Sequence, residues 1–114
     1  MEKEANIEQI AMELIGNSGD ARSFAFGALQ QAKVGNYEEA MKQMRSAKEA
    51  AKLAHQAQTE LLAYEANGNT LEFSVLLVHA QDHLMTSMLA QELIAEIVEL
   101  YENIEGKKAG KEED

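Results

Sequence analysis

Three histidines and one aspartate hold most of the chain's options for chemistry near neutral pH. Two of the histidines and the aspartate fall together in His79-Ala80-Gln81-Asp82-His83, a cluster of ionisable groups inside an otherwise apolar stretch. His79 and His83 are four residues apart and share a face if the stretch is helical, with Thr86 beside them. That spacing can present two imidazoles to zinc. It serves equally for a hydrogen-bonded structural group or for one reactive histidine, and local spacing leaves all three open.

Asp82 shares a strip with Val75, Val78, Leu89 and Leu93, so helical geometry directs its carboxylate into an apolar face. Burying an unpaired carboxylate costs several kcal/mol or more. Residues 70–105 contain seven acidic side chains and no Lys or Arg to offset it. Asp82 must therefore stay protonated, bond His79 or His83, or share a cation with copies of itself around a symmetry axis. A hard cation such as Mg²⁺ takes oxygen ligands, so three symmetry-related carboxylates with water would suit it. His55, in Ala54-His55-Gln56, has no acidic neighbour within a turn and reads as a packed or capping residue. The absence of Cys removes disulfides, thiolate metal sites and a cysteine nucleophile together.

The elements that must position these groups are helices. The chain has 114 residues with no Pro and no Trp, 5% aromatic residues, and an apolar share of 46% weighted toward Ala, Leu, Ile and Met. One domain is expected at this length. Glycines divide it at Gly35-Asn36 and Asn67-Gly68-Asn69 into segments Asn6 to Val34, Tyr37 to Ala66 and Leu71 to Glu105. Gly16-Asn17-Ser18-Gly19-Asp20 predicts a kink or restart in the first, with Ser18 or Asp20 as a cap. In the second, Ala40, Met41, Met44, Ala47, Ala51, Ala54, Leu61 and Leu62 recur near helical spacing, and Lys42, Arg45, Lys48 and Lys52 read as a solvated basic face. Residues 1–105 are expected to form an up-down-up antiparallel three-helix bundle, and residues 106–114 a charged, disordered tail.

The third segment departs from a simple bundle. Phe73, Val75, Leu76, Leu77, Val78, Ala80, Leu84, Met85, Met88 and Leu89 spread round the whole circumference at about 100° per residue. Two other helices of one chain cannot enclose it, so burial against further copies is predicted, with three-fold symmetry favoured. The formal net charge of −10 argues against nucleic acid and anionic lipid as partners. No run has the roughly 18 apolar residues of a membrane span. A soluble, cytoplasmic protein is expected, with no direct membrane insertion.

Leu77-Val78-His79-Ala80-Gln81-Asp82-His83-Leu84-Met85-Thr86 resembles the signature of the lactose/cellobiose family of enzyme IIA components of the bacterial sugar phosphotransferase system. Ser18-Gly19-Asp20-Ala21-Arg22-Ser23 resembles that family's first-helix motif, and Ala54-His55-Gln56-Ala57-Gln58-Thr59 its A-H-x-x-Q-T motif. The finer pattern, including Ala80 where the lactose type tends to have Gly, is closer to the cellobiose/diacetylchitobiose branch. The resemblance implies a homotrimer forming a nine-helix bundle. It also implies that His79 is phosphorylated, as a tele-phosphohistidine, by phosphorylated HPr and passes the group to a cysteine of a cognate enzyme IIB. Asp82, once per subunit, matches the carboxylate that holds a divalent metal, Mg²⁺ by the argument above. Gln81, His83, His55 and Gln58 match recurrent positions, with Gln81 and His83 as candidate supports of the catalytic histidine. Alternatives are a lactose-specific IIA component, or a metal-binding or metal-dependent hydrolytic bundle using His79, Asp82 and His83.

Overall fold

The computed structural model describes the backbone of residues 2–72 and 74–113, and the side chains of 7–72 and 74–108. Three helices, α1 (Glu2–Lys33), α2 (Tyr37–Ala66) and α3 (Val75–Glu113), form an elongated bundle of 69 × 19 × 19 Å. Phe73, counted above with the third segment, lies outside the described residues.

The two interhelical breaks occur where the glycines demand them. Gly35 adopts φ 79°, and its N–H reaches Ala32 O at 3.0 Å while Asn36 N–H reaches Gln31 O at 2.9 Å. This is the Schellman arrangement, in which a left-handed residue satisfies the last carbonyls of α1. Asn36 then caps α2, its side-chain oxygen accepting from Glu39 N–H at 3.4 Å. Gly68, at φ 90°, ends α2 with its N–H on Glu65 O at 3.1 Å while the Asn69 side-chain amide donates to Tyr64 O at 3.0 Å, and Ser74 starts α3 by accepting from Leu77 N–H at 3.1 Å. The third helix thus begins at Val75 rather than Leu71.

The expected kink at residues 16–20 is absent, and α1 is unbroken. Its buried positions Leu14, Ser18, Ala21, Ala25, Ala28 and Ala32 keep alternating three- and four-residue steps straight through the glycines. A restart would put that stripe out of phase with its partners. Packing along the whole helix therefore outweighs the roughly 1 kcal/mol that each helical glycine costs. At Gly27 a Cβ would meet only the flexible end of the Gln43 side chain of α2. The predicted end at Gly106 is also corrected. That glycine has no positive φ, and the helical backbone continues over the former tail to Glu113. No Pro intervenes to stop it.

The core has two parts. Ala25, Ala28 and Ala32 meet Ala40, Met44, Ala47, Ile94 and Val98 at one end, while Ala11 and Leu14 meet Ala54, Ala57, Leu61, Ala80 and Leu84 at the other. These pairings set α2 antiparallel to α1 and α3. Alanine at so many contact positions lets the axes approach closely. Between the two clusters in sequence lie Ser18, Ala21, Ala50 and Ser87, all buried, and neither serine hydroxyl has a hydrogen-bond partner.

Candidate functional site

Residues 79–82 leave α3 in four directions, because successive residues turn about 100°. Ala80 points inward and is fully buried. Gln81 leaves on the α2 flank, where its Nε2 donates to Gln58 Oε1 at 2.7 Å. His79 is about 200° from Gln81 and stands exposed on the opposite flank. Asp82 points away from the core and is exposed, as helical phase requires.

His79 and His83 meet edge to face, with ring centroids 4.4 Å apart and planes at 77°. The half-buried His83 ring limits how the His79 ring can turn, which steadies the direction of its in-plane nitrogen lone pair. Thr86 donates its hydroxyl to the Asp82 carbonyl at 2.8 Å, which leaves the Asp82 carboxylate uninvolved. Among the described residues no hydrogen bond joins that carboxylate to His79 or His83, contrary to the local pairing considered from sequence. Nor do the described residues contain a group of three or more His, Cys, Asp or Glu side chains that could hold a metal ion within one copy. The zinc reading of His79, Asp82 and His83 therefore finds no ready centre in a single chain.

The expectation that α3 is enclosed on every side is met on one side only. Ala80, Leu84, Ser87, Ile94 and Val98 are buried, but Val78, Met85, Leu89, Leu93, Leu100 and Ile104 are each 46–63% exposed. Val78, Leu89 and Leu100 recur every 11 residues, as do Asp82, Leu93 and Ile104. That period matches a nearly straight helix face. Two acidic side chains, Asp82 and Glu96, interrupt the stripe, and both are exposed. Beside the stripe, an apolar groove of about 380 Å³ runs between α1 and α3, with Phe26, Leu93 and Ile97 among its walls. A wider cavity of about 650 Å³, where Tyr64, Glu72 and Leu76 come together, contains none of the histidines.

The α2 motif residues divide. Gln58 joins Gln81, whereas the His55 side chain is exposed and its carbonyl accepts the Thr59 hydroxyl at 3.0 Å. Neither reaches the His79 flank of its own chain. The Gln58–Gln81 bond joins residues 23 apart, for which local spacing gives no signal. Sequence reasoning also missed the clasp at the far end. There the Tyr37 hydroxyl donates to Tyr101 O at 3.2 Å, and the adjacent Glu105 carboxylate, as an acceptor, holds the Tyr37 phenol at about 12.

Residues 9–102 match the family model described as PTS system, Lactose/Cellobiose specific IIA subunit. The chain is similar to the N,N'-diacetylchitobiose-specific EIIA component of Escherichia coli K12, with 49% identity over 98 residues covering 86% of this chain and 84% of the relative. Its fold is similar to the crystal structure of the cellobiose-specific enzyme IIA of Bacillus anthracis, at TM-score 0.86 and 54% identity over 89% of this chain and 93% of the other. It is also similar to a chain in the solution structures of the IIA(chitobiose)–HPr complex of Escherichia coli, at TM-score 0.75 and 47% identity over 87% and 96% of the two chains.

Proposed function

Given that the chain belongs to the lactose/cellobiose-specific IIA family of the sugar phosphotransferase system and is a phosphotransferase component, we propose that His79 carries the phosphoryl group between HPr and a cognate enzyme IIB. The observation that carries this reading is the exposed His79 ring, braced edge-on by His83 on a helix whose next residue is fully buried. A neutral imidazole nitrogen is nucleophilic near pH 7. Its lone pair forms the new bond to phosphorus as the bond to the donor breaks, and the bonding pair leaves with the donor. A cysteine thiolate of the IIB partner then reverses the roles. The absence of Cys here fits an acceptor on another protein. Phosphoryl transfer asks mainly for positioning and local hydrogen bonds, which a rigid helix face supplies. The names of the similar proteins favour the cellobiose or diacetylchitobiose type over the lactose type, and a cytoplasmic carrier in β-diglucoside uptake is part of the same proposal.

The working form in this proposal is a homotrimer, packed through the exposed stripe of α3. Burying Val78, Met85, Leu89 and Leu93 against two further copies would bring three Asp82 carboxylates together. The donor set fits a hard divalent cation, since each Asp82 offers oxygens that no bond engages among the described residues. Asp82 would hold such a metal, most simply Mg²⁺, which would supply neutralising charge at the interface. The same symmetry sets the His79 flank of one copy against the Gln81 flank of the next, placing Gln81 where it supports a neighbour's histidine rather than its own.

Incubation with enzyme I, HPr and labelled phosphoenolpyruvate tests the relay. Acid-labile, base-stable label on the chain, absent in His79→Ala, is expected. Undiminished label in His79→Ala would refute it.

A further inference from the structure

The Gln81–Gln58 bond fixes the height of α2 against α3 near the relay histidine. With the helices antiparallel, His55 sits about 4.5 Å beyond that level and His79 about 3 Å before it, at 1.5 Å per residue. Their axial separation is thus only about 7.5 Å. Yet the body of α3 stands between them, because His79 leaves the flank opposite Gln81. His55 nonetheless faces α3's side of the bundle. It follows Tyr37 by 18 residues, five full turns at about 3.6 residues each, and the Tyr37 hydroxyl touches α3 at Tyr101. His55 is exposed there, and among the described residues its ring makes no hydrogen bond.

His79 has the converse need. A phosphoryl group on its ring is an anion on a helix with no Lys or Arg between residues 70 and 105. On α1, Arg22 lies over the Phe26 ring at 5.7 Å, and Phe26 shares a groove with Thr86, Leu89 and Leu93, which lie about two to four turns along α3 from His79. The cations Lys42, Arg45, Lys48 and Lys52 are instead exposed on α2, and Lys48 shares the azimuth of His55 to within about 20°.

We propose that His55 of a neighbouring copy completes the phosphoryl cleft of His79, donating a ring N–H to the phosphoryl oxygens across the interface. The inference rests on the three-fold packing proposed above, which sets the His79 flank of one copy against the α2–α3 flank of the next. His55 binds and orients the group while the bonds to phosphorus form and break at His79.

The test uses intact full-length protein whose trimeric mass and helical content have been checked. A monomeric mass would remove the packing on which the inference rests, and is scored separately from the label. Removing one hydrogen bond to a charged group is expected to slow labelling of His79 about 10- to 100-fold in His55→Ala. His55→Gln, which keeps an N–H donor, should recover most of that loss. His55→Ala chains are then co-expressed, under a distinct tag, with an excess of His79→Ala chains, which supply His55 but take no label. Recovery of the labelling rate on the His55→Ala chains is expected, because their neighbours now provide the donor. Unchanged labelling in the His55→Ala trimer, or no recovery in verified mixed trimers, would overturn the assignment.

Discussion

Leu89 gives the sharpest quantitative handle on assembly. It lies in the middle of the α3 stripe, seven residues beyond Asp82, and is 56% exposed in one copy. Fully burying a leucine side chain is worth about 1.5–3 kcal/mol. Covering the exposed part should therefore contribute about 1–2 kcal/mol per copy, and Leu89→Ser should weaken a trimer by about 3–5 kcal/mol. That is a roughly 10²- to 4 × 10³-fold rise in the trimer's dissociation constant. Sedimentation equilibrium over a concentration series would read it, with far-ultraviolet circular dichroism confirming that the helices remain. Leu53→Ser is the control. That side chain is also exposed but lies about 160° round α2 from His55, away from the α3 flank, so its mass distribution should match the parent. Equal weakening by both substitutions, or none by Leu89→Ser, would refute an interface built on the α3 stripe.

Asp82→Leu should leave the trimer assembled or more stable and abolish any response of its mass to chelator, because the carboxylate that requires a cation is gone. Dissociation of that variant would count against neutralisation by metal. Ser18→Ala and Ser87→Ala should change the urea midpoint little, or raise stability by up to about 1 kcal/mol, since each removes a buried hydroxyl that has no partner. A clear loss in either would mean that the hydroxyl is bonded in solution. The Tyr37 phenol, held at about 12 against an ordinary 10.0, keeps its proton more tightly folded than unfolded. Its contribution is complete below pH 10 and is lost as the pH rises toward about 12, so Tyr37→Phe should flatten that part of an alkaline stability curve.

The bounds of α2 were legible because Gly35 and Gly68 both occupy left-handed positions, where glycine is close to obligatory. Gly16 and Gly19 look the same in sequence yet sit inside α1, since glycine composition does not distinguish a cap from a helical position held by the packing of flanking turns, and Gly106 is helical in an exposed stretch. Ser18 was ambiguous for a related reason. A serine near glycines suggests a cap, but its four-residue step from Leu14 and three-residue step to Ala21 place it in the core. The His79 and Asp82 positions could be placed because helical phase alone sends them to a flank and to the outer stripe. The Gln58–Gln81 bond could not, since it depends on the relative height of two helices, and neither could the solitary standing of His55. The apolar circumference of α3 was read correctly as excess, and the fold divides it between an inner face and an uncovered one.

Phosphoryl labelling of the intact chain and of His79→Ala by enzyme I, HPr and labelled phosphoenolpyruvate, followed by discharge to a panel of IIB proteins, tests the account most directly. Label on the parent that is stable in base, leaves to a IIB cysteine and is missing from His79→Ala is the predicted result. Label that survives the substitution, or none on a folded parent, would contradict it.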